Sequence, residues 1–365
     1  MRVEQFVPSL VPHDAISNHA RFLHAALLEA GHSAAIFYEH VHPSMVSEGR
    51  PYTECDPAPD PSRLILYHAS TSSSMAAWLV DAANGGQRVA LDYHNITPSR
   101  YFARWLPSAA FSMDLARAEL AGLRTASSLA VADSEYNRCE LAELGFEPTT
   151  VCPLIVDVEV RPVRSRVPAP ASASWLFVGR IAPNKCQHDV IAAFAVYRKL
   201  FAPAATLTLV GGVTAERYRR SLQEMADDLE VADAVELTGP VTSDALAAHL
   251  DAADVFVCLS EHEGFCAPVV EAMAAGVPVV AFAAAALPET VDGAGLLLDS
   301  KDPLAVAVAV HDLLEDPQAW DRLVKAGLGR ARRLSRQASA ACLVSALEDL
   351  AGEARRTECW GAPDR

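Results

Sequence analysis

Lysine is scarce in this chain. Among 365 residues it occurs four times, at Lys185, Lys199, Lys301 and Lys325, and acids outnumber bases to a formal net charge of -16. A surplus of that sign argues against a nucleic-acid partner, whose binding rests on cation-phosphate contacts, and gives no electrostatic hold on anionic lipid. The bias is not an average over unlike halves, because the first 160 residues carry ten arginines and no lysine against nineteen carboxylates. No segment offers the ~20 apolar residues that cross a bilayer. The amino terminus lacks a basic region followed by an apolar stretch. The eight cysteines show no Cys-x-x-Cys spacing, and several fall in apolar runs. Reduced thiols in a soluble, cytoplasmic protein are the expectation, with peripheral attachment to a membrane left open.

What is present reads as α/β. The length is comfortable for two domains, each able to bury a core. Residues 164–173 are small, polar and proline-containing, the composition of a linker, and fall just before an apolar run at 175–178. The two halves also start alike: an apolar run at 3–7 precedes a helical pattern at 17–31, as the run at 175–178 precedes one at 187–200.

The most informative stretch is Ser260 to Glu271. Val255 to Leu259 reads as a buried strand, Pro268 suits a first helical position, and Gly276 stops the helix. Glu263 then sits in the bend, and Glu271 about one turn inside the helix. Amides around Cys266 and Ala267, with Gly264 and Phe265 before them, lack intrahelical partners, so the helix start can bind a phosphate. Glu263 can accept hydrogen bonds from sugar hydroxyls and Glu271 from a ribose diol. A second apolar run, 174–178, ends in a glycine turn, Gly179-Arg180-Ile181-Ala182-Pro183-Asn184-Lys185, which delivers two cations at a strand exit. A guanidinium grips phosphate in bidentate fashion and an ammonium adds a compact charge. Two solvated surface cations would satisfy the same spacing.

Together these segments resemble the family-4 retaining glycosyltransferases of the GT-B fold. The shared features are a glycine-arginine-x4-lysine turn, here Gly179 to Lys185, and a glutamate-x7-glutamate bend, here Glu263 to Glu271, with further family-like stretches at 207–212, 237–241, 252–257, 276–281, 287–290 and 293–298. The likeness is strong over residues 174–335 and weaker before. It implies two Rossmann-like domains with parallel sheets facing a central cleft: an acceptor-binding domain over 1–163, the linker 164–173, a nucleotide-sugar-binding domain over 174–335, and a carboxy-terminal helix, 336–365, returning to the first domain.

In the first domain the resemblance draws attention to His94, which follows the strand 89–93 where many relatives place a histidine against the donor sugar. A ring merely satisfied by its surroundings is the alternative, and is the favoured reading for His68. The loop before the first helix offers Asp14, Ser17 and Asn18 as caps or as groups for acceptor hydroxyls. Ala15-Ile16 stands where the family has a glycine pair, so contact of this loop with the diphosphate is open. Asn95 and Tyr101 complete the acceptor candidates, Tyr101 with Phe102 and Trp105 reading equally as packing. Ser134 is expected to cap a helix through Leu144. Trp360 is a candidate pin for the last helix.

The implied activity is retaining hexosyl transfer from a nucleotide-diphosphate sugar, UDP- or GDP-linked, to a sugar, oligosaccharide or natural-product hydroxyl. Glu263, His94, Arg180 and Lys185 are the implied catalytic group. Gly179, Asn184, Gly239, Val241, Gly264, Phe265, Cys266, Ala267 and Glu271 join Arg180, Lys185 and Glu263 in holding the donor. No cofactor and no metal are expected: two cations already serve the diphosphate, and no Asp-x-Asp occurs in the sequence. Oligomeric state is open. A two-carboxylate hydrolase leaves the cations unexplained. An epimerase or phosphorylase of the same fold, or a sugar-binding protein without turnover, are the other readings.

Overall fold

The computed structural model describes residues 1–160 and 170–360, with side chains described as far as residue 352. It divides into two compact units. Most of the expected linker, 164–169, lies outside the described residues, as does the Trp360 side chain. Residues Pro170–Ser172 form one 3-10 turn, and Ala173 is already buried.

The first unit comprises Met1–Ile96, Phe111–Asp157 and the chain from Leu334 onward. Its strands are β1 (Arg2–Leu10), β2 (Ser33–Val41), β3 (Arg50–Pro51), β4 (Arg63–Ala69), β5 (Arg88–Tyr93), β6 (Ser127–Ala132) and β7 (Thr149–Val151). They form one sheet in the order β3-β2-β1-β4-β5-β6-β7, every pair parallel. Both faces are covered, so the strands read as nearly unbroken apolar runs, and all of β4 is buried. Alternate residues still go to opposite faces. Leu64, Leu66 and Ala90 pack with Leu23 and Leu27 of the first helix, whereas Ile65, Tyr67, Val89 and Leu91 face Phe6, Leu79 and Leu120. The helix Arg336–Trp360 lays Leu343, Val344 and Leu347 on the first of these faces, so the end of the chain is part of this unit's core.

The second unit comprises Thr97–Ala110 and Val158–Arg333. β8 (Ser174–Val178), β9 (Thr206–Val210), β10 (Val235–Gly239), β11 (Val255–Cys258), β12 (Val279–Phe282) and β13 (Leu296–Leu298) form a parallel sheet in the order β10-β9-β8-β11-β12-β13. Trp175 on β8 packs on Phe194 and Tyr197 of the helix Gln187–Leu200, ring centroids 5.7 and 5.1 Å away. The segment Thr97–Ala110, which the sequence boundary of 1–163 places in the first domain, groups here instead. Its aromatic side chains are the reason: Phe102 and Ala110 pack on Ala182, and Trp105 meets Tyr218 edge-on at 5.2 Å.

Two glycines let the ends of β8 and β9 approach. Gly211 has φ +146, and a Cβ there would stand 2.0 Å from the Gly179 carbonyl oxygen. Backbone cannot yield to that. Gly211→Ala is therefore expected to displace the turn after β8 and to lower the melting temperature by about 5 °C or more, on the order of 2 kcal/mol for a unit of this size; a thermal melt within 1 °C of wild type would contradict it. No helix among the described residues is long and apolar enough to cross a membrane.

Candidate active site

In the second unit the chain runs outward from β8 through β9 to β10, then returns to place β11 on the other side of β8. Strand order thus reverses between β8 and β11, and loops leaving the carboxyl ends of two such strands diverge and open a crevice. Those two loops are Gly179–Lys185 and Ser260–Cys266. The two sequence motifs meet because topology puts their strands side by side.

Side chains stitch the loops together. The Lys185 ammonium pairs with the Glu263 carboxylate, and both groups are largely withdrawn from solvent, at 17% and 6% exposure. Asn184, buried, donates from Nδ2 to the His262 carbonyl at 3.1 Å, while its own carbonyl accepts from the Glu261 amide at 3.0 Å. Gln187 Nε2 donates to the Arg180 carbonyl at 2.9 Å and holds the turn from below. Lys301 bridges Asp189 and Glu261, each at 2.6 Å. That ammonium, more than burial can oppose, keeps the Glu261 carboxyl below its usual range. The Tyr101 hydroxyl also donates to Glu261, and its ring lies 6.0 Å from that of His262. Tyr101, expected among acceptor groups, is thus placed against the bend of the second unit.

Cys266 precedes the helix Ala267–Ala274 in the left-handed region, φ +73 and ψ 66. A β-carbon is disfavoured there, so the surroundings enforce the turn. The free Cys266 and Cys258 thiols lie within 4.8 Å of one another, and Thr290 Oγ1 donates to the Phe265 carbonyl. Helix-start amides of this kind are free to meet an anion. Cys258, Glu263 and Cys266 offer atoms at metal-ligand spacing, but the Lys185 ammonium already answers the Glu263 charge. Glu271, within this helix, has no side-chain partner among the described residues, and burial alone pushes its carboxyl up to about 7. Gly239, φ +72, ends β10 and accepts from the Gly211 amide at 3.1 Å; Val241 lies two residues on. Arg180 is exposed and makes no ion pair among the described residues, so Lys185 is the cation the fold fixes beside Glu263.

The first unit holds a different cluster. His94 Nδ1 donates to Asp133 at 3.0 Å, and Nε2 lies 3.0 Å from His68 Nδ1. His68 Nε2 donates to Gln5 Oε1 at 3.0 Å, and His19 Nε2 to Asp92 Oδ2 at 2.9 Å. Burial works against charge on His94, but Asp133 and then Asp92 outweigh it and raise its pKa to about 9. Burial likewise lowers His68, here to about 4. His94 is therefore the cation of the cluster, giving one proton to Asp133 and one to neutral His68. His94, expected to contact a sugar, instead has its ring fully out of solvent and both nitrogens hydrogen-bonded within the first unit. His19, His68, Asp92 and His94 also have metal-ligand spacing. However, His19 Nδ1 accepts from the Ile155 amide at 3.0 Å, which puts its proton on Nε2, facing Asp92. The sequence reading missed Asp133: it follows β6 as His94 follows β5, a parallel that is visible in sequence only once the pairing of those strands is known.

The acceptor candidates of the first loop act as structure. Asp14 caps the helix Ala15–Glu29 by accepting from the Ser17 amide at 2.9 Å; the buried Ser17 hydroxyl bonds Asp14 and the Val11 amide at 3.0 Å each. Asn18 Oδ1 lies 3.5 Å from Arg21 Nη1, and Asn95 Nδ2 donates to Asn137 Oδ1 at 2.8 Å.

Residues 169–330 match the family model described as Glycosyl transferases group 1. D-inositol 3-phosphate glycosyltransferase of Thermobifida fusca is 33% identical over 189 residues, 50% of this chain and 44% of that one. GDP-mannose-dependent α-(1-6)-phosphatidylinositol monomannoside mannosyltransferase of Mycolicibacterium smegmatis is 39% identical over 150 residues, 39% of this chain and 38% of that one. The chain thus spans less than half the length of either relative. In three dimensions the structure of Anabaena HepE in complex with UDP-glucose superposes with a TM-score of 0.74 at 17% identity, covering 96% of this chain and all of that one. That likeness establishes the GT-B fold, two Rossmann-like units with parallel sheets.

Proposed function

We propose that the chain is a retaining glycosyltransferase of family 4 that moves a sugar from a UDP- or GDP-sugar to a hydroxyl of a sugar-like, oligosaccharide or natural-product acceptor. The observation that carries this is the Lys185–Glu263 pair at the strand-order reversal, beside the start of the Ala267–Ala274 helix and the unpartnered Glu271. Each group answers one part of a nucleotide sugar. Lys185, with Arg180 at the same strand exit and the amides around Cys266, matches the two charged phosphates. Glu271 is one helical turn from those amides, the reach from a β-phosphate to a ribose diol. Glu263 is an acceptor for sugar hydroxyls, and the bond to Lys185 fixes its direction.

As the bond from the anomeric carbon to the phosphate stretches, charge grows on the departing oxygens and the sugar takes on oxocarbenium character. Lys185 and the amides stabilise the first, and the Glu263 carboxylate the second. With attack from the side of the leaving group, the phosphate oxygen takes the acceptor's proton, so no side-chain base and no enzyme nucleophile are invoked. The positive charge that a diphosphate requires comes from the two cations and the helix start, and no metal is called for.

The decisive experiment incubates the protein with UDP- and GDP-sugars, with and without a panel of glycoside and polyol acceptors, and follows free nucleotide. Release that depends on acceptor, with a new α-linked product from an α-linked donor, is expected. Release without acceptor, or conversion of the donor's sugar, would move the assignment to a hydrolase or an epimerase.

A further inference from the structure

The carboxy-terminal helix and the edge of the first sheet meet at two thiols. Cys342 Sγ lies 3.0 Å from Cys152 Sγ, although 190 residues separate them in sequence. Cys152 follows β7, its amide held by the Ala132 carbonyl at 3.0 Å and its side chain buried beneath the helix Arg336–Trp360. Cys342 lies on that helix and is exposed. Both belong to the first unit, and both flanking segments are anchored: Leu343, Val344 and Leu347 on one side, and Ile155 on the other, share a hydrophobic core. Closing from 3.0 Å to the ~2.05 Å of an S–S bond takes about 1 Å of sulfur movement, within reach of side-chain rotation.

We propose that Cys152 and Cys342 form a reversible disulfide when the protein meets a hydroperoxide, tying the last helix covalently to the first unit. The two thiols divide the chemistry. The exposed sulfur is the one that solvent-borne oxidant reaches, and it is also the better anion: the hydrogen bond shared with Cys152, outweighing burial, brings Cys342 down to about 7, while the same bond and burial drive Cys152 up. The Cys342 thiolate attacks the peroxide oxygen, giving a sulfenic acid and releasing hydroxide. The Cys152 thiol then attacks that sulfur, the S–S bond forms and water leaves, its proton coming from Cys152. Two thiols and one hydrogen peroxide become one disulfide and two waters; a dithiol reductant reverses the step by exchange. The chain leaves the first unit at Asp157 and re-enters it at Leu334. The bond closes a covalent ring around that excursion and keeps the last helix from fraying away from its sheet.

The test treats the full-length protein with one to ten equivalents of hydrogen peroxide, blocks remaining thiols with N-ethylmaleimide in denaturant, and maps the peptides by mass spectrometry. The expected result is a peptide pair joined through Cys152 and Cys342, lost on treatment with dithiothreitol, together with a melting temperature raised by about 5 °C. In Cys152→Ser the sulfenic acid on Cys342 persists and is trapped by dimedone. In Cys342→Ser, whose exposed position tolerates the change, Cys152 stays reduced. Exposed Cys139 is an internal control. The proposal is overturned if Cys342 reacts no faster than Cys139, if it passes to sulfinic acid while Cys152 is still alkylated, or if the joined peptides come only from two different chains.

Discussion

Lys185→Ala is expected to lose 10²- to 10³-fold in kcat, about 3–4 kcal/mol of transition-state stabilisation, because the proposed mechanism sets this cation against the departing diphosphate. The same change leaves Glu263, 6% exposed, without its partner. An uncompensated carboxylate in that position costs on the order of 2 kcal/mol of stability, less than a fully buried pair since Lys185 keeps some contact with water. A single variant therefore confuses two effects. Adding Glu263→Gln to Lys185→Ala removes the stranded charge, so the melting temperature is expected to recover while turnover stays at or below the single variant's level. Steady-state kinetics and a thermal melt on the three proteins decide it. Near-normal turnover in Lys185→Ala would remove the phosphate site as drawn. Recovery of turnover together with stability would make Lys185 a structural residue only.

Glu271→Gln is expected to separate stability from binding. In the folded protein the Glu271 carboxyl sits at about 7 against an ordinary 4.5, with burial as the cause. A raised folded pKa means that the folded state holds the proton more tightly. The favourable contribution is complete below pH 4.5 and is lost as pH rises through 7. At pH 8 the wild type bears the cost of an ionised carboxylate in a confining site. Glu271→Gln should then be more stable by on the order of 2 kcal/mol, with little difference near pH 4. Nucleotide binding should move the other way. The ionised form is the stronger acceptor for two ribose hydroxyls, so wild type should bind UDP or GDP about tenfold more tightly at pH 8 than at pH 6, one pKa unit of linkage. The glutamine variant should bind weakly and without that slope. Ionisation of the nucleotide itself is common to both proteins and cancels in the comparison. A variant that is less stable at pH 8, or that keeps the wild-type affinity and slope, would show that Glu271 does not face the ribose. Groups that cost stability while unoccupied are what a binding site accumulates.

The second unit was largely legible from sequence, and the reason is local. Strand, glycine turn, cation and helix follow one another within 30 residues at 174–200, and strand, bend and helix again at 255–275, so short-range spacing carried the geometry. Lys185 and Glu263 lie 78 residues apart, yet each sits in the loop that leaves a strand, and parallel packing with a reversal between β8 and β11 does the rest. Where the chemistry depends on pairs of strands, spacing said little. His94 was noticed as a strand-end histidine, but its charge comes from Asp133, 39 residues on, and its orientation from His68 and Gln5 on two other strands. Tyr101 was placed with the first unit because it follows β5 in sequence; aromatic contacts with Tyr218 and His262 draw its segment to the second. Arg180 shows the opposite limit. A motif fixes where an arginine leaves the backbone, not where a long exposed side chain rests before its ligand arrives.

The proposed function requires that the reversal between β8 and β11 bind a nucleoside diphosphate. Isothermal titration calorimetry with UDP and with GDP, in buffer containing a chelator, measures it on wild type, Lys185→Ala/Glu263→Gln and Glu271→Gln. One-site binding of at least one nucleotide to wild type in the micromolar range is expected, about 1.4 kcal/mol or more weaker in each variant, a tenfold loss in Kd. Failure of wild type to bind either nucleotide, or equal affinity in all three proteins, would contradict it.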